Sequence, residues 1–127
     1  NIINILSKVS PTYPINNLAL SVGSLMLGQP SECANYIEKL KKSINIYTPK
    51  LNKLGCNVLK TYTNFINIQL PKGIGSDDIV EGLKRKKILV RGRYNHPMLD
   101  NSIRVTVADK KNMNIFYDRL KEVLQEI

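Results

Sequence analysis

The hydrophobic period of this chain first changes at Gly55. Before it, over residues 31–54, apolar side chains recur every three or four positions: Cys33, Tyr36, Ile37, Leu40, Ile44, Tyr47, Leu51 and Leu54. That spacing is the stripe of one long helix. After it the residues alternate. Residues 57–63 and 64–70 read as two strands, with Phe65, Ile66, Ile68 and Leu70 carrying most of the apolar weight. A chain that switches from one period to the other must stack helices on a sheet, an α+β arrangement.

Punctuation residues set the expected boundaries. Residues 1–15 read as a helical or extended arm closed by a rigid loop at Pro11 and Pro14, since both prolines disfavour helix just before them. Asn16 or Asn17 caps a short helix through Leu18, Val22, Leu25 and Met26, which Gly28 and Pro30 end. Ser31 is the expected cap of the long helix. Pro49 is expected to kink or split it near Tyr47 and Thr48, and Gly55 to supply a left-handed stop. Downstream, Ser76 is expected to cap a helix with Asp77 and Asp78 in its first turn and Ile79, Val80 and Leu83 facing inward. Residues 88–90 then read as a short buried strand, 91–101 as a loop, and Ile103, Val105 and Val107 as one face of another strand. Asp109 or a neighbour opens a last helix striped with Met113, Phe116, Leu120, Val123, Leu124 and Ile127. The expected fold is a two-layer α+β unit, its mostly antiparallel sheet covered by helices on one face and preceded by a long helix. Residues 1–30 would be an arm and short linking helix, and 31–127 the α+β small domain.

Several chemistries are excluded. The 127 residues hold two cysteines, Cys33 and Cys56, and one histidine, His96, so no zinc finger and no common Cys/His metal site can be assembled. The cysteines read as free thiols. The Gly73-x-Gly75 pair lacks the further glycine and the Gly-Lys-Ser/Thr of a phosphate loop and reads as a plain loop. No nucleophile has a base beside it, and no lysine sits among apolar neighbours that would lower its pKa. The chain alone does not read as a complete enzyme. No signal peptide and no membrane span is legible, and a cytoplasmic protein is expected. The first residue is Asn rather than Met, as expected of a piece of something longer.

Charge gives the functional leads. Nineteen Lys and Arg against ten Asp and Glu leave the chain at +9, which favours anionic partners. Lys84, Arg85, Lys86, Lys87, Arg91 and Arg93 fall within ten residues. The first four suit the last turn of a helix, whose dipole favours cations. A free-standing basic module that binds nucleic acid is the alternative, weakened by the absence of Trp and of aromatics placed for base stacking. Arg104 alternates with Ile103 and Val105, so it points to the opposite sheet face. There it either pairs with a carboxylate inside the fold or grips an anionic ligand through its planar fork. Arg91 could converge with it at one end of an antiparallel pair, making a two-arginine clamp.

Four strings, in order, are similar to one family. Lys8-Val-Ser-Pro-Thr-Tyr-Pro-Ile-Asn-Asn-Leu-Ala resembles Lys-Val-x-Pro-Pro-Tyr-Asn-Val-Asn-x-Leu-x, and Thr63-Asn-Phe resembles (Ala/Thr)-Asn-Phe. Lys87-Ile-Leu-Val-Arg resembles Gly-Ile-x-Val-Arg, and Ser102-Ile-Arg-Val-Thr-Val resembles Leu-Arg-Ile-(Ser/Thr)-(Ile/Val)-Gly. These belong to the C-terminal small domain of fold-type-I pyridoxal-phosphate enzymes, most nearly the histidinol-phosphate aminotransferases. The resemblance implies that Arg104 binds the carboxylate or phosphate of a small anionic amino-acid substrate, with Arg91 assisting. It implies pyridoxal phosphate as the cofactor of the full-length enzyme, a homodimer, and a large domain that is the missing partner of this one. The catalytic and cofactor-binding residues, the imine-forming lysine among them, would lie in that large domain and none in this fragment; Lys8 matches a later position. A related decarboxylase of phosphorylated amino acids has similar strings. Lys87 in place of Gly, Ala108 in place of Gly and Pro14 in place of Asn are departures from the pattern.

Overall fold

The computed structural model describes residues 2–10, 13–92, 94 and 96–127. The elements run α1 (Ile2–Val9), α2 (Asn17–Leu27), α3 (Pro30–Lys53), β1 (Asn57–Val58), β2 (Phe65–Gln69), α4 (Ser76–Arg85), a 3-10 turn (Pro97–Leu99), β3 (Ser102–Thr106) and α5 (Lys110–Glu126). The chain divides into two compact units, Asn1–Tyr36 and Ile37–Ile127.

In the first unit, Asn16 caps α2 by accepting from the Ala19 amide at 2.8 Å. Neither α1 nor α2 buries a residue. Leu18, Leu25 and Leu27 are 74%, 73% and 85% exposed, so the helical stripe expected here is bare within this unit among the described residues. Of the two prolines expected to close the arm, Pro11 lies outside the described residues.

The second unit is built on an antiparallel sheet of order β1-β2-β3. Ile66 stands opposite Val105 and Ile68 opposite Ile103. All four are buried, in one core with Tyr47 and Leu51 of α3, Ile79 and Leu83 of α4, and Met113, Phe116, Leu120 and Val123 of α5. Alternation puts Phe65, Asn67, Gln69, Arg104 and Thr106 on the other face, where each is half-buried or exposed. The α+β, one-face-covered architecture expected from the sequence is the one present.

Several local expectations are corrected. The long helix starts at Pro30, not after Ser31, because a proline costs nothing in the first turn, where its missing amide has no partner to lose. It continues through Pro49 without splitting. Asn45, four residues before Pro49, and Pro49 itself are both exposed, so water can replace the helix bond that the missing amide forfeits. Gly75, not Ser76, is the cap position of α4, and it supplies no side-chain hydrogen bond. The first strand shrinks to Asn57–Val58, and Thr61 and Thr63 form a hydroxyl-bonded turn instead. Residues 88–90 are not a strand: Leu89 is 84% exposed, and only Arg91 bridges to β3.

Other stops agree. Gly55 has φ 81°, and Cys56 N donates to Leu51 O while Gly55 N donates to Asn52 O, the paired bonds of a Schellman stop. The same pair closes α4: Ile88 N bonds Leu83 O and Lys87 N bonds Lys84 O. Here the left-handed residue is Lys87, at φ 62°, standing where the resembled strand has Gly. Asp109 caps α5 through the Asn112 amide at 2.8 Å.

Candidate functional site: an arginine pair on the open sheet face

The route from α4 to the sheet edge fixes Arg91. The left-handed turn at Lys87 reverses the chain, and Gly92 lets it lie close to α4. A Cβ built on Gly92 would stand 2.8 Å from Val80 Cγ2, so only glycine fits without displacement. Arg91 then forms an antiparallel bridge with Arg104: Arg91 N donates to Arg104 O at 3.1 Å, and Arg104 N to Arg91 O at 2.6 Å. Directly opposed residues of an antiparallel pair share a face, so the two guanidinium stems leave the sheet on the same side.

Arg104 also stands opposite Asn67 of β2. The backbone groups of Arg104 already turn toward Arg91, so Asn67 and Arg104 form the non-hydrogen-bonded kind of pair, whose side chains lie closer together. Asn67 Oδ1 is closed off from solvent without a hydrogen-bond donor. The Arg104 guanidinium carbon lies 4.8 Å from the centre of the Phe65 ring, and that of Arg91 lies 5.9 Å from the ring of Tyr94. Among the described residues neither arginine is ion-paired with a carboxylate. A groove of about 460 Å³ lies at this edge, shared by Arg91, Arg104 and Thr106 with Val105, Met113 and Phe116 of the helix-covered side, so it opens toward α5 as well as toward the bare face. The arrangement can hold an anion between two fixed-charge forks.

The remaining candidates are dispersed. Arg93 lies outside the described residues. Lys84 pairs with Glu81 at 3.5 Å, and Lys86 with Glu122 and Glu126 at 3.0 and 2.8 Å, so part of the basic run is balanced inside the fold. The Nδ1 of His96 accepts from the Met98 amide at 3.2 Å and caps the 3-10 turn. Cys33 and Cys56 are free, and burial pushes the Cys56 thiol up to about 11. Every lysine is exposed except Lys86, whose ammonium is held by the two glutamates. None lies in the desolvated pocket that activates an imine-forming lysine, so these residues do not fit as the anchor of an aldehyde cofactor. Among the described residues no group of acids, cysteines and histidines could hold a metal ion, and no helix is long and apolar enough to cross a membrane.

Sequence reasoning did not find Phe65, Asn67 and Tyr94 around the pair. Phe65 counted as apolar weight; its one signal was that it breaks the alternation of Ile66, Ile68 and Leu70.

No family model matches the chain. It is 30% identical over 115 residues to a histidinol-phosphate aminotransferase from Lactococcus lactis subsp. lactis (strain IL1403), covering 91% of this chain and 31% of that protein. By fold it is similar to the histidinol-phosphate aminotransferase from Sinorhizobium meliloti solved with pyridoxal-5'-phosphate (TM-score 0.77, 19% identity, 96% of this chain and 33% of that one). It is also similar to the L-threonine-O-3-phosphate decarboxylase from Porphyromonas gingivalis (TM-score 0.70, 24% identity, 87% and 35%). At those identities the two structures speak for fold alone. The chain spans about a third of the length of the relatives it matches.

Proposed function

From a chain that matches a fragment of a fold-type-I pyridoxal-phosphate aminotransferase, we propose that residues 37–127 are the substrate-binding domain of such an enzyme. Arg104 grips the anionic group of an amino-acid-like substrate, and Arg91 assists. The observation that carries the reading is the placement of two opposed arginines on an open sheet face, neither ion-paired with a carboxylate among the described residues. Like charges directly across a sheet destabilise it, so a purely structural role gives no reason for this pair, whereas a bound anion does. Both relatives' names carry a phosphate ester, and a phosphate presents three oxygens to two planar forks.

Pyridoxal phosphate, bound elsewhere in the enzyme, would supply an electron sink for the substrate's amino-bearing carbon. This chain's own contribution is to orient that carbon by fixing the far end of the substrate. The partner is a large domain outside this chain. The bare apolar residues of α1 and α2 support the need for such a covering surface. The fragment alone is then inactive and binds no cofactor covalently, and the whole enzyme is a cytoplasmic homodimer.

The decarboxylase of phosphorylated amino acids is the second reading, kept because the Porphyromonas gingivalis enzyme shares this fold and a fold does not fix the reaction. One assay separates them. The complete protein, supplied with pyridoxal phosphate, is given histidinol phosphate with a 2-oxo acid, or O-phospho-L-threonine alone. Amino transfer from the first supports the main reading, and carbon dioxide release from the second supports the alternative. Activity on neither, or activity on either that survives Arg104→Lys in full, contradicts the assignment.

A further inference from the structure

The guanidinium of Arg104 lies over Phe65. The two residues are diagonal neighbours on the open sheet face, because Phe65 pairs in register with Thr106 and Arg104 is two positions back on the same strand. That diagonal is within reach of an aromatic ring and a long side chain. The charge lies 4.8 Å from the ring centre, well inside cation–π range. Phe65 is half-buried, and it belongs neither to the buried core nor to the apolar residues packed against that core. A large aromatic side chain kept off the core is therefore spent on the open face. Its own backbone is held there: Thr63 Oγ1 donates to the Phe65 carbonyl at 3.1 Å and accepts from its amide at 3.4 Å.

We propose that Phe65 is a positioning residue for Arg104, holding the guanidinium in the orientation that receives an anion. The inference rests on the anion-binding role of Arg104. A guanidinium with no ion-pair partner samples many rotamers, and a bound ligand must freeze them. The ring removes part of that freedom before binding, and it does so without offering a carboxylate that would compete with the ligand. Arg104 is thus both free and oriented, which an intramolecular salt bridge could not achieve.

The test uses the complete protein labelled with ¹⁵N-arginine, with inorganic phosphate as the probe and the Arg104 Nε–Hε signal as the readout. Phe65→Leu keeps the apolar bulk and loses the π face, and Phe65→Tyr keeps the face. Wild type is expected to show a saturable shift. Phe65→Leu is expected to weaken phosphate about two- to fivefold, the worth of an exposed cation–π contact, with its thermal melt held. Phe65→Tyr is expected to bind as wild type. Equal affinity of Phe65→Leu and wild type overturns the inference, as does equal weakening in both variants. If Phe65→Leu lowers the melt, Phe65→Tyr decides alone: wild-type affinity upholds positioning and weakened affinity refutes it. A wild type without any response, or Arg104→Lys binding phosphate as wild type does, sinks the anion reading itself and this inference with it. Loss of binding in Arg104→Lys beside an indifferent Phe65→Leu sinks only the inference.

Discussion

Arg91 and Arg104 exchange both of their backbone hydrogen bonds, at 3.1 and 2.6 Å, across the outer edge of a three-stranded sheet. Backbone pairing forces the side chains onto one face, and chain routing by Lys87 and Gly92 delivers Arg91 to that position. The juxtaposition of the two arginines is therefore a consequence of topology, and changes away from it can be read separately.

Lys87 is the first such change. It occupies the left-handed position of a Schellman stop at φ 62°, where a Cβ is unfavourable. Lys87→Gly is expected to stabilise the fold by about 0.5–1.5 kcal/mol, raising Tm by about 2–6 °C, with Lys87→Ala nearly neutral. A thermal melt in which Gly and Ala behave alike would show that the strain is relieved some other way.

Gly82 makes the opposite case. A Cβ there would stand 2.5 Å from Val123 Cγ1 and 3.2 Å from Cγ2, at the contact of α4 with α5. Valine is stiff at χ1 and 1% exposed at this site, so it cannot turn away. Gly82→Ala is expected to cost roughly 1–3 kcal/mol from overpacking, more than the helix propensity it gains of about 1 kcal/mol. The double variant Gly82→Ala/Val123→Ala should lose less than the two single costs added, as read by chemical denaturation.

How much was legible in the sequence follows from these positions. The helices at 17–27, 30–53, 76–85 and 110–126 and the strands around Ile66 and Ile103 were readable, because each carries its own apolar period. Gly55 and Asp109 announced their roles by residue type. Lys87 did not, since nothing about a lysine signals a left-handed backbone. Residues 88–90 misled for a related reason: three consecutive apolar residues look like a buried strand whether or not a partner strand exists to pair them. The place of Arg104 on the face opposite Ile103 and Val105 was legible from alternation alone. Phe65 and Asn67 were not, because which residues of β2 lie beside Arg104 depends on register, a long-range property.

Lys86 gives a pH dependence. Its hydrogen bond to Glu126, then that to Glu122, raises its pKa above the ordinary 10.5. The hydrogen bond from Lys86, then that from Arg119, holds the Glu122 carboxyl below the ordinary 4.5. The carboxylate contribution is present above 4.5 and fades as pH falls through the lowered folded value. The ammonium contribution is present below 10.5 and fades as pH rises through the raised one. Wild type should thus exceed Lys86→Met in Tm most between those limits, with the gap closing on both sides and shrinking in high salt. A gap independent of pH would assign the difference to packing of the lysine stem.

The central claim concerns Arg104, and steady-state kinetics of the complete enzyme carrying Arg104→Lys, beside its thermal melt, test it most directly. Charge-assisted fork bonds contribute roughly 1.5–3 kcal/mol each. Losing two should cost about 3–6 kcal/mol of transition-state binding, a fall in kcat/KM on the order of 10² to 10⁴, which an ammonium lacking the fork restores little. The account predicts that fall with a nearly unchanged melt. An unchanged kcat/KM with a lowered melt would contradict it and make Arg104 a structural residue.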